Sequence, residues 1–300
     1  MKKVIAIVGP TASGKTKISI EVAKYFGFEI ISGDSVAIKK DLNIGSAKPT
    51  ALEMSGIKHY LIDEIEASDE YSVYDFQKKA RNIIDSNDEI KIICGGTGLY
   101  ISSVLYNYEF EASRRNFDAE DNYQNLSNQE LYELLLSKDK TIDQNKLHPN
   151  NRKRVLRAIQ IIDETKNNLN KYSKKNEKIY DYYIIYLKMD RNILYERINN
   201  RVDQMLQEGL LEEVKSLYEK KIYPKAIGYQ EFIPYFEGKI TLDDAVEQIK
   251  TNSRHLAKRQ ETWFKNQMDS HFYEVNLNNI DETIKIIIDD LSRWLNWKYI

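Results

Sequence analysis

Residues 9–16 read Gly9-Pro10-Thr11-Ala12-Ser13-Gly14-Lys15-Thr16, a match to G-x-x-x-x-G-K-[ST]. Immediately before them, Val4–Val8 is an apolar run of strand length. Immediately after, Thr16–Phe26 carries Ile18, Val22 and Phe26 at helical spacing. Strand, glycine-rich loop and helix together are the context in which this motif holds phosphate. Backbone N–H groups and the positive end of the helix dipole attract anionic oxygens there. Lys15 is then placed to neutralise a terminal phosphate, and Thr16 to offer its hydroxyl to Mg²⁺. Such loops bind nucleotides, ATP among them. The alternative, a chance match in a turn, does not account for a strand and a helix both in their places.

Outward from the loop, Glu29–Ser32 reads as a second strand that ends at Gly33-Asp34-Ser35. Tyr74–Ile84 has helical spacing, and Ile90–Cys94 is another strand that ends in Gly95-Gly96-Thr97-Gly98. This βα alternation predicts an α/β, P-loop NTPase-like parallel sheet flanked by helices. Ligands of such sheets collect at the carboxyl ends of the strands, where all three polar or glycine-rich exits fall.

The alternation breaks at Asn107–Asn145, which is acidic and poor in apolar repeats apart from a short helix at Leu126–Leu136. The expected division is a core of residues 1–106 and 146–300, with a small helical insertion domain at 107–145. Asn151–Ile162 is expected to be a helix and Lys166–Lys178 a polar, mobile connector. Tyr182–Met189 returns as a strand, followed by helix Arg191–Gln207. Thr241 caps a long helix reaching about Gln267, and Glu282–Trp294 makes a last one. There are no internal repeats.

Apolar residues make up 42% of the 300, enough for a sizeable core and against general disorder. No apolar run approaches the roughly 20 residues that span a bilayer, and the first strand begins too early for a cleavable signal. Cys94 is the single cysteine, and His59, His148, His255 and His271 are scattered, so neither a disulfide nor a cysteine zinc cluster is expected. A cytoplasmic monomer fits this reading. The formal net charge of −2 conceals a local imbalance: Lys146–Lys178 holds ten lysines and arginines against three acids. A basic field of this kind binds phosphates, or is simply a solvated face.

The loop does not specify the reaction. A nucleotide hydrolase adds an acid at a strand end to hold Mg²⁺. Asp190, after Tyr182–Met189, is a weak candidate for that role. Asp34, after the second strand, is better placed, and is either a general base toward an acceptor or a turn or helix-cap aspartate. Arg197 and Arg201, four apart beside the apolar stripe Ile193, Ile198, Val202 and Met205, share a helix face. They suit a diphosphate clamp, or surface salt bridges. On the long helix Arg254 with Lys258 and His255 with Arg259 make similar pairs, while Trp263 and Phe264 read as core.

The ordered motifs GPTASGKT at 9–16, GDS at 33–35, NIGSAKP at 43–49, YSVYDF at 71–76 and GGTGLY at 95–100 continue down the chain. HPNNRKRVLRAI at 148–159, ERINNRVDQMLQEGLLEEV at 196–214, AIGYQE at 226–231 and RHLAKRQETWF at 254–264 follow them. Together they resemble the tRNA dimethylallyltransferases, from Val4 to about Phe264. The resemblance implies transfer of a dimethylallyl group from its diphosphate to the exocyclic N6 amine of adenosine 37, beside the tRNA anticodon. The loop would then hold the diphosphate leaving group, with Lys15, Mg²⁺ at Thr16 and Arg201 stabilising its charge. Asp34 would accept the amine proton or orient the amine. Thr97 would line the channel where donor and flipped adenine meet.

The resemblance also assigns contacts with the tRNA anticodon stem-loop to Asp34, Ser35, Val36 and Ala37. Further contacts fall on Lys153, Arg154, Val155, Leu156 and Arg157, on Lys225, Ala226, Ile227, Gly228, Tyr229 and Gln230, and within the 107–145 insertion. Lys39, Lys58 and Ser46 stand where the family usually has tyrosine, histidine and threonine. An arginine that members carry in the insertion is Arg114 or Arg115. The zinc finger of some eukaryotic members is not expected. The rival readings are a small-molecule kinase, an enzyme prenylating free adenine nucleotides, and a non-catalytic tRNA-binding protein.

Overall fold

In the computed structural model, residues 1–108, 122–144, 147–165 and 177–297 are described. The candidates Arg114 and Arg115, and most of the connector Lys166–Lys178, lie outside them. The chain forms two compact units, one of Met1–Leu105 with Tyr180–Ile300 and the other Tyr106–Ile179.

In the first unit the strands are β1 (Lys3–Val8), β2 (Glu29–Ser32), β3 (His59–Tyr60), β4 (Lys91–Gly95), β5 (Asp181–Lys188) and β6 (His271–Glu274). They form one parallel sheet in the order β3-β2-β4-β1-β5-β6. Its longer helices are α1 (Lys15–Phe26), α2 (Val73–Asp85), α3 (Gly98–Leu105), α6 (Arg191–Gln207), α7 (Leu210–Glu219), α8 (Leu242–Gln267) and α9 (Ile280–Leu295). The second unit holds α4 (Asn128–Lys138) and α5 (Arg152–Thr165).

The continuous apolar run of β1 follows from burial on both faces. Ile5 and Ile7 point to one side, into a core with Ile18 and Val22 of α1 and Ile284, Ile287 and Leu291 of α9. On the other strand face, Tyr186 of β5 lies against Phe264 of α8, ring centroids 5.8 Å apart. Phe264 is therefore core, as its sequence context suggests. Helix starts follow their caps. Ser72 with Asp75 opens α2, and Thr241 with Asp244 opens α8, each as a reciprocal capping box. Asp190 does the same work for α6, its carboxylate accepting from the N–H groups of Asn192 and Ile193. The weak metal-ligand reading of Asp190 gives way to that of a helix cap.

A buried Lys91 links three strands. Its ammonium meets Glu29 at 2.6 Å and Glu89 at 2.8 Å, and Glu29 also accepts from the Tyr60 hydroxyl. Burial pulls the Lys91 pKa down, but the two carboxylates outweigh it and leave the group above its ordinary value. Removing Glu29 would leave the buried ammonium with the more exposed Glu89 as its remaining carboxylate.

In the second unit, Leu131, Tyr132 and Leu135 of α4 pack on Val155, Leu156, Ile159 and Ile162 of α5. Arg152 staples the start of α5 to the carbonyls of Tyr123 and Leu126. This moves the expected domain boundary from residue 145 to 179. Neither amphipathic helix can bury its apolar face alone, so the helix at 152–165 belongs with the insertion and not with the sheet.

Candidate active site

The phosphate loop leaves β1 at its carboxyl end and turns into α1 through Ala12 (φ 63°) and Gly14 (φ 91°). Two side chains from distant helices hold its shape. Gln260 of α8 accepts from the Thr11 N–H at 2.9 Å, and Arg197 of α6 donates Nε–H to the Ala12 carbonyl at 2.9 Å. Lys15 folds back to donate to the Pro10 carbonyl at 2.6 Å. Burial lowers the Lys15 pKa to about 8. The Cys94 thiol and Asp34 oppose that shift, and the Arg201 charge adds to it.

Lys15, Thr16, Asp34, Ser46, His59 and Cys94 line one cleft, whose apolar wall includes Ile30, Ala37 and Pro49. The cleft opens at the carboxyl ends of the strands, as parallel sheets dictate. Asp34 makes the turn that the sequence allows, and it also lines the cleft. Its Oδ1 accepts from Val36 N at 2.7 Å and Ala37 N at 3.3 Å, which makes a turn. Its Oδ2 takes no part in that turn and keeps its lone pairs for an acceptor group.

Arg201 lies close enough for its charge to act on Lys15. Burial lowers its own pKa, and the Asp34 carboxylate opposes this. It makes no hydrogen bond among the described residues. Its neighbour Arg197 is bonded to the loop carbonyl through Nε–H, a bond to which Arg201 has no counterpart among the described residues. Arg254 bonds Asn199 and Thr251 and ties α8 to α6.

Gly96 and Gly98 are explained by α8, and Gly95 by the Gly33 backbone beside it. A Cβ on Gly96 would fall 2.2 Å from Gln260 Nε2, and one on Gly98 would fall 2.1 Å from Trp263 Cδ1. Thr97, half-buried between them, leads into α3 and its carbonyl accepts from Tyr100 N. His59 enters the cleft unforeseen. Its Nδ1–H donates to the Ile57 carbonyl at 2.8 Å, which leaves Nε2 as an acceptor, and burial lowers its pKa. The Cys94 thiol is pushed up by the same cause.

For Mg²⁺, the Thr16 hydroxyl is a hard oxygen donor on the cleft wall. It suits an ion that keeps waters and takes its remaining ligands from substrate phosphate.

Several residues expected to meet nucleic acid are core. Val155 is 0% and Leu156 6% exposed, because they form the packing face of α5. Lys153 and Arg154 are exposed on that helix, and Arg157 is half-buried with Nη1 3.4 Å from Gln160 Oε1. Tyr229 and Gly228 are also buried, Tyr229 donating to Glu213 at 2.7 Å, so in 225–230 the exposed side chains are Lys225 and Gln230.

A family model described as IPP transferase matches residues 38–267. A protein of Enterococcus faecalis named tRNA dimethylallyltransferase is 45% identical over 311 residues, which cover 99% of this chain and 99% of that one. One of the same name from Bacillus subtilis is 44% identical over 91% of this chain and 90% of its own. Among solved structures, a tRNA delta(2)-isopentenylpyrophosphate transferase of Staphylococcus epidermidis is 43% identical, with 99% coverage of both chains and a TM-score of 0.71. A eukaryotic dimethylallyltransferase acting on tRNA is 29% identical over 98% of this chain and 80% of that chain, with a TM-score of 0.83.

Proposed function

This chain belongs to the IPP transferase family, and on that premise we propose that it moves a dimethylallyl group from dimethylallyl diphosphate to the N6 amine of adenosine 37 in tRNA. It is a prenyltransferase, and the proposal concerns which atoms do the work. The observation that supports it is that Lys15, Thr16 and Asp34 line one cleft under the positive charge of Arg201.

The phosphate loop N–H groups, Lys15 and Arg201 hold the diphosphate, and its negative charge grows as the bond from C1 to oxygen breaks. Cations already in place stabilise that growth without reorganising. Asp34, oriented by its turn, takes the proton that N6 releases as the new bond from nitrogen to C1 forms. Thr16 with the diphosphate would hold Mg²⁺, which when bound supplies further charge neutralisation on the leaving oxygens. Diphosphate leaves, and the product is N6-isopentenyladenosine.

Adenosine must be unstacked to reach the cleft, and Thr97 stands at the entry to α3 as a lining residue for it. Direct contacts to the anticodon stem-loop are assigned to Ser35 and Val36 beside Asp34, to Lys153, Arg154 and Arg157, and to Lys225 and Gln230. No helix among the described residues is long and apolar enough to cross a membrane, and we place the enzyme in the cytoplasm, as a monomer. The test is to incubate protein, Mg²⁺, dimethylallyl diphosphate and unmodified tRNA, then digest the tRNA and weigh its nucleosides. A mass gain of one dimethylallyl group on adenosine is expected. Unmodified adenosine, or a phosphorylated product, would overturn the reading.

A further inference from the structure

One wall of the cleft is built by residues 43–49, of which Ser46, Ala47 and Pro49 touch the cavity. This segment belongs to neither strand nor helix, and Ala47 sits at φ 51°. Its first three amides converge on one carboxylate of α7, while Lys48 bonds the Lys39 carbonyl and Asn43 Oδ1. Glu213 accepts from the N–H groups of Asn43 at 3.0 Å, Ile44 at 2.9 Å and Gly45 at 3.2 Å. Three consecutive amides converging on one carboxylate form a charge-assisted bracket, stronger than the same bonds to a neutral acceptor.

Glu213 is itself held. The Tyr229 hydroxyl donates to its Oε1 at 2.7 Å, and Tyr229 is fully buried. The Tyr229 ring lies so close to residue 45 that a Cβ there would fall 2.6 Å from Cε2 and Cζ. Only glycine fits. A Cβ on Gly228 would fall 3.5 Å from the Gly45 carbonyl oxygen. Nothing in the transfer chemistry uses Glu213 or Tyr229, yet both converge on the loop that walls the cleft.

We propose that Glu213 is a positioning residue for the donor cleft, oriented by Tyr229, and that it holds the 43–49 wall at the distance the prenyl diphosphate requires. This rests on the proposed function, since it takes the cleft's occupant to be that donor. Glu213 touches no reacting atom. Its loss therefore weakens donor capture, raising KM, and leaves the turnover of bound donor close to unchanged. Tyr229→Phe removes one hydroxyl and keeps the ring on Gly45, so it gives the same effect in smaller measure.

The experiment uses the full chain with tRNA at saturation. KM for dimethylallyl diphosphate and kcat are measured for wild type, Glu213→Gln and Tyr229→Phe, together with amide hydrogen exchange at residues 43–45. In Glu213→Gln an –NH₂ donor replaces one acceptor oxygen. The expected result is a KM raised about tenfold, kcat within about twofold, and exchange at 43–45 faster by about tenfold or more. Tyr229→Phe should raise KM about threefold. Wild-type KM and exchange in both variants would overturn the inference, as would faster exchange with an unchanged KM. A fall in kcat at constant KM would overturn it too. Wild-type protein that transfers no prenyl group at all would instead sink the proposed function, while the exchange data would still report whether Glu213 holds the wall.

Discussion

Arg197 donates its Nε–H to the carbonyl oxygen of Ala12 at 2.9 Å, which fastens α6 to the phosphate loop at a residue with φ 63°. Arg201, one turn further along the same helix, makes no hydrogen bond among the described residues and turns its charge on Lys15 and Asp34. Two arginines four residues apart thus stand differently, one bonded to the loop and the other beside the charges of Lys15 and Asp34.

The division predicts different kinetic failures. Arg201→Ala should lower kcat by about 10²–10³-fold, the usual cost of removing one donor to a developing anion. Arg197→Ala should chiefly raise KM for the donor, since a loosened loop binds diphosphate less well before the reaction begins. Both variants should bind tRNA as tightly as wild type when no donor is present. Steady-state kinetics alongside a filter-binding titration checks this, and a matched loss of tRNA affinity and rate in Arg201→Ala would contradict the assignment.

Asp34→Asn separates the two duties of that residue. Asparagine keeps an oxygen to accept from Val36 N and Ala37 N, so the turn and the fold should persist. It cannot take up the amine proton. Single-turnover transfer should slow by about 10²–10⁴-fold with the unfolding midpoint nearly unmoved. A near-wild-type rate would leave Asp34 with the turn alone.

Much of this site is legible in the sequence, because its parts are local. The loop, its strand and its helix are contiguous, and Asp34 lies one short strand beyond them. What holds the loop is not local. Gln260 is 249 positions from Thr11, and Glu213 lies 168 positions from Gly45, so no spacing rule connects them. His59–Tyr60 is a strand of only two residues, too short to show a period. His271–Glu274 is mostly exposed on the sheet edge, so it shows no continuous apolar run. Gly98–Leu105 follows directly on glycines that read as a strand exit, although the packing of Trp263 on Gly98 lets a helix begin there. The misplaced domain boundary has the same origin. The stripe Val155, Leu156, Ile159 and Ile162 declares an apolar face without declaring its partner.

Lys15 carries a pH signature. Its folded-state pKa of about 8 lies below the unfolded 10.5, so the ammonium that would hold diphosphate is lost as pH rises through 8. Donor kcat/KM should fall by close to an order of magnitude between pH 7 and pH 9, roughly as the charged fraction does. Stability moves the other way. Between pH 8 and 10.5 the unfolded chain holds this proton and the folded chain does not, so the lysine's drag on folding is relieved as pH rises. Lys15→Ala should abolish both trends, and a pH profile of kcat/KM with a matched series of thermal melts reads them. A flat kinetic profile in wild type would remove Lys15 from donor binding.

The helix α5 gives the test that separates a tRNA acceptor from a free nucleotide. Lys153 and Arg154 are exposed while Val155 and Leu156 turn into the core of their unit, so the basic side chains can be replaced without disturbing the packing. If they neutralise tRNA phosphates, log affinity should fall linearly with log salt, with a slope of about 0.7–0.9 per phosphate contacted. Lys153→Ala with Arg154→Ala should weaken tRNA binding at low salt and reduce that slope by about 1–2, while KM for dimethylallyl diphosphate stays unchanged. Free AMP should be a poor acceptor for wild type, since a mononucleotide lacks the anticodon stem-loop phosphates that this helix would hold. Efficient prenylation of AMP, at a rate insensitive to salt and to the double substitution, would assign the enzyme to nucleotides and leave the basic face of α5 as ordinary solvated surface.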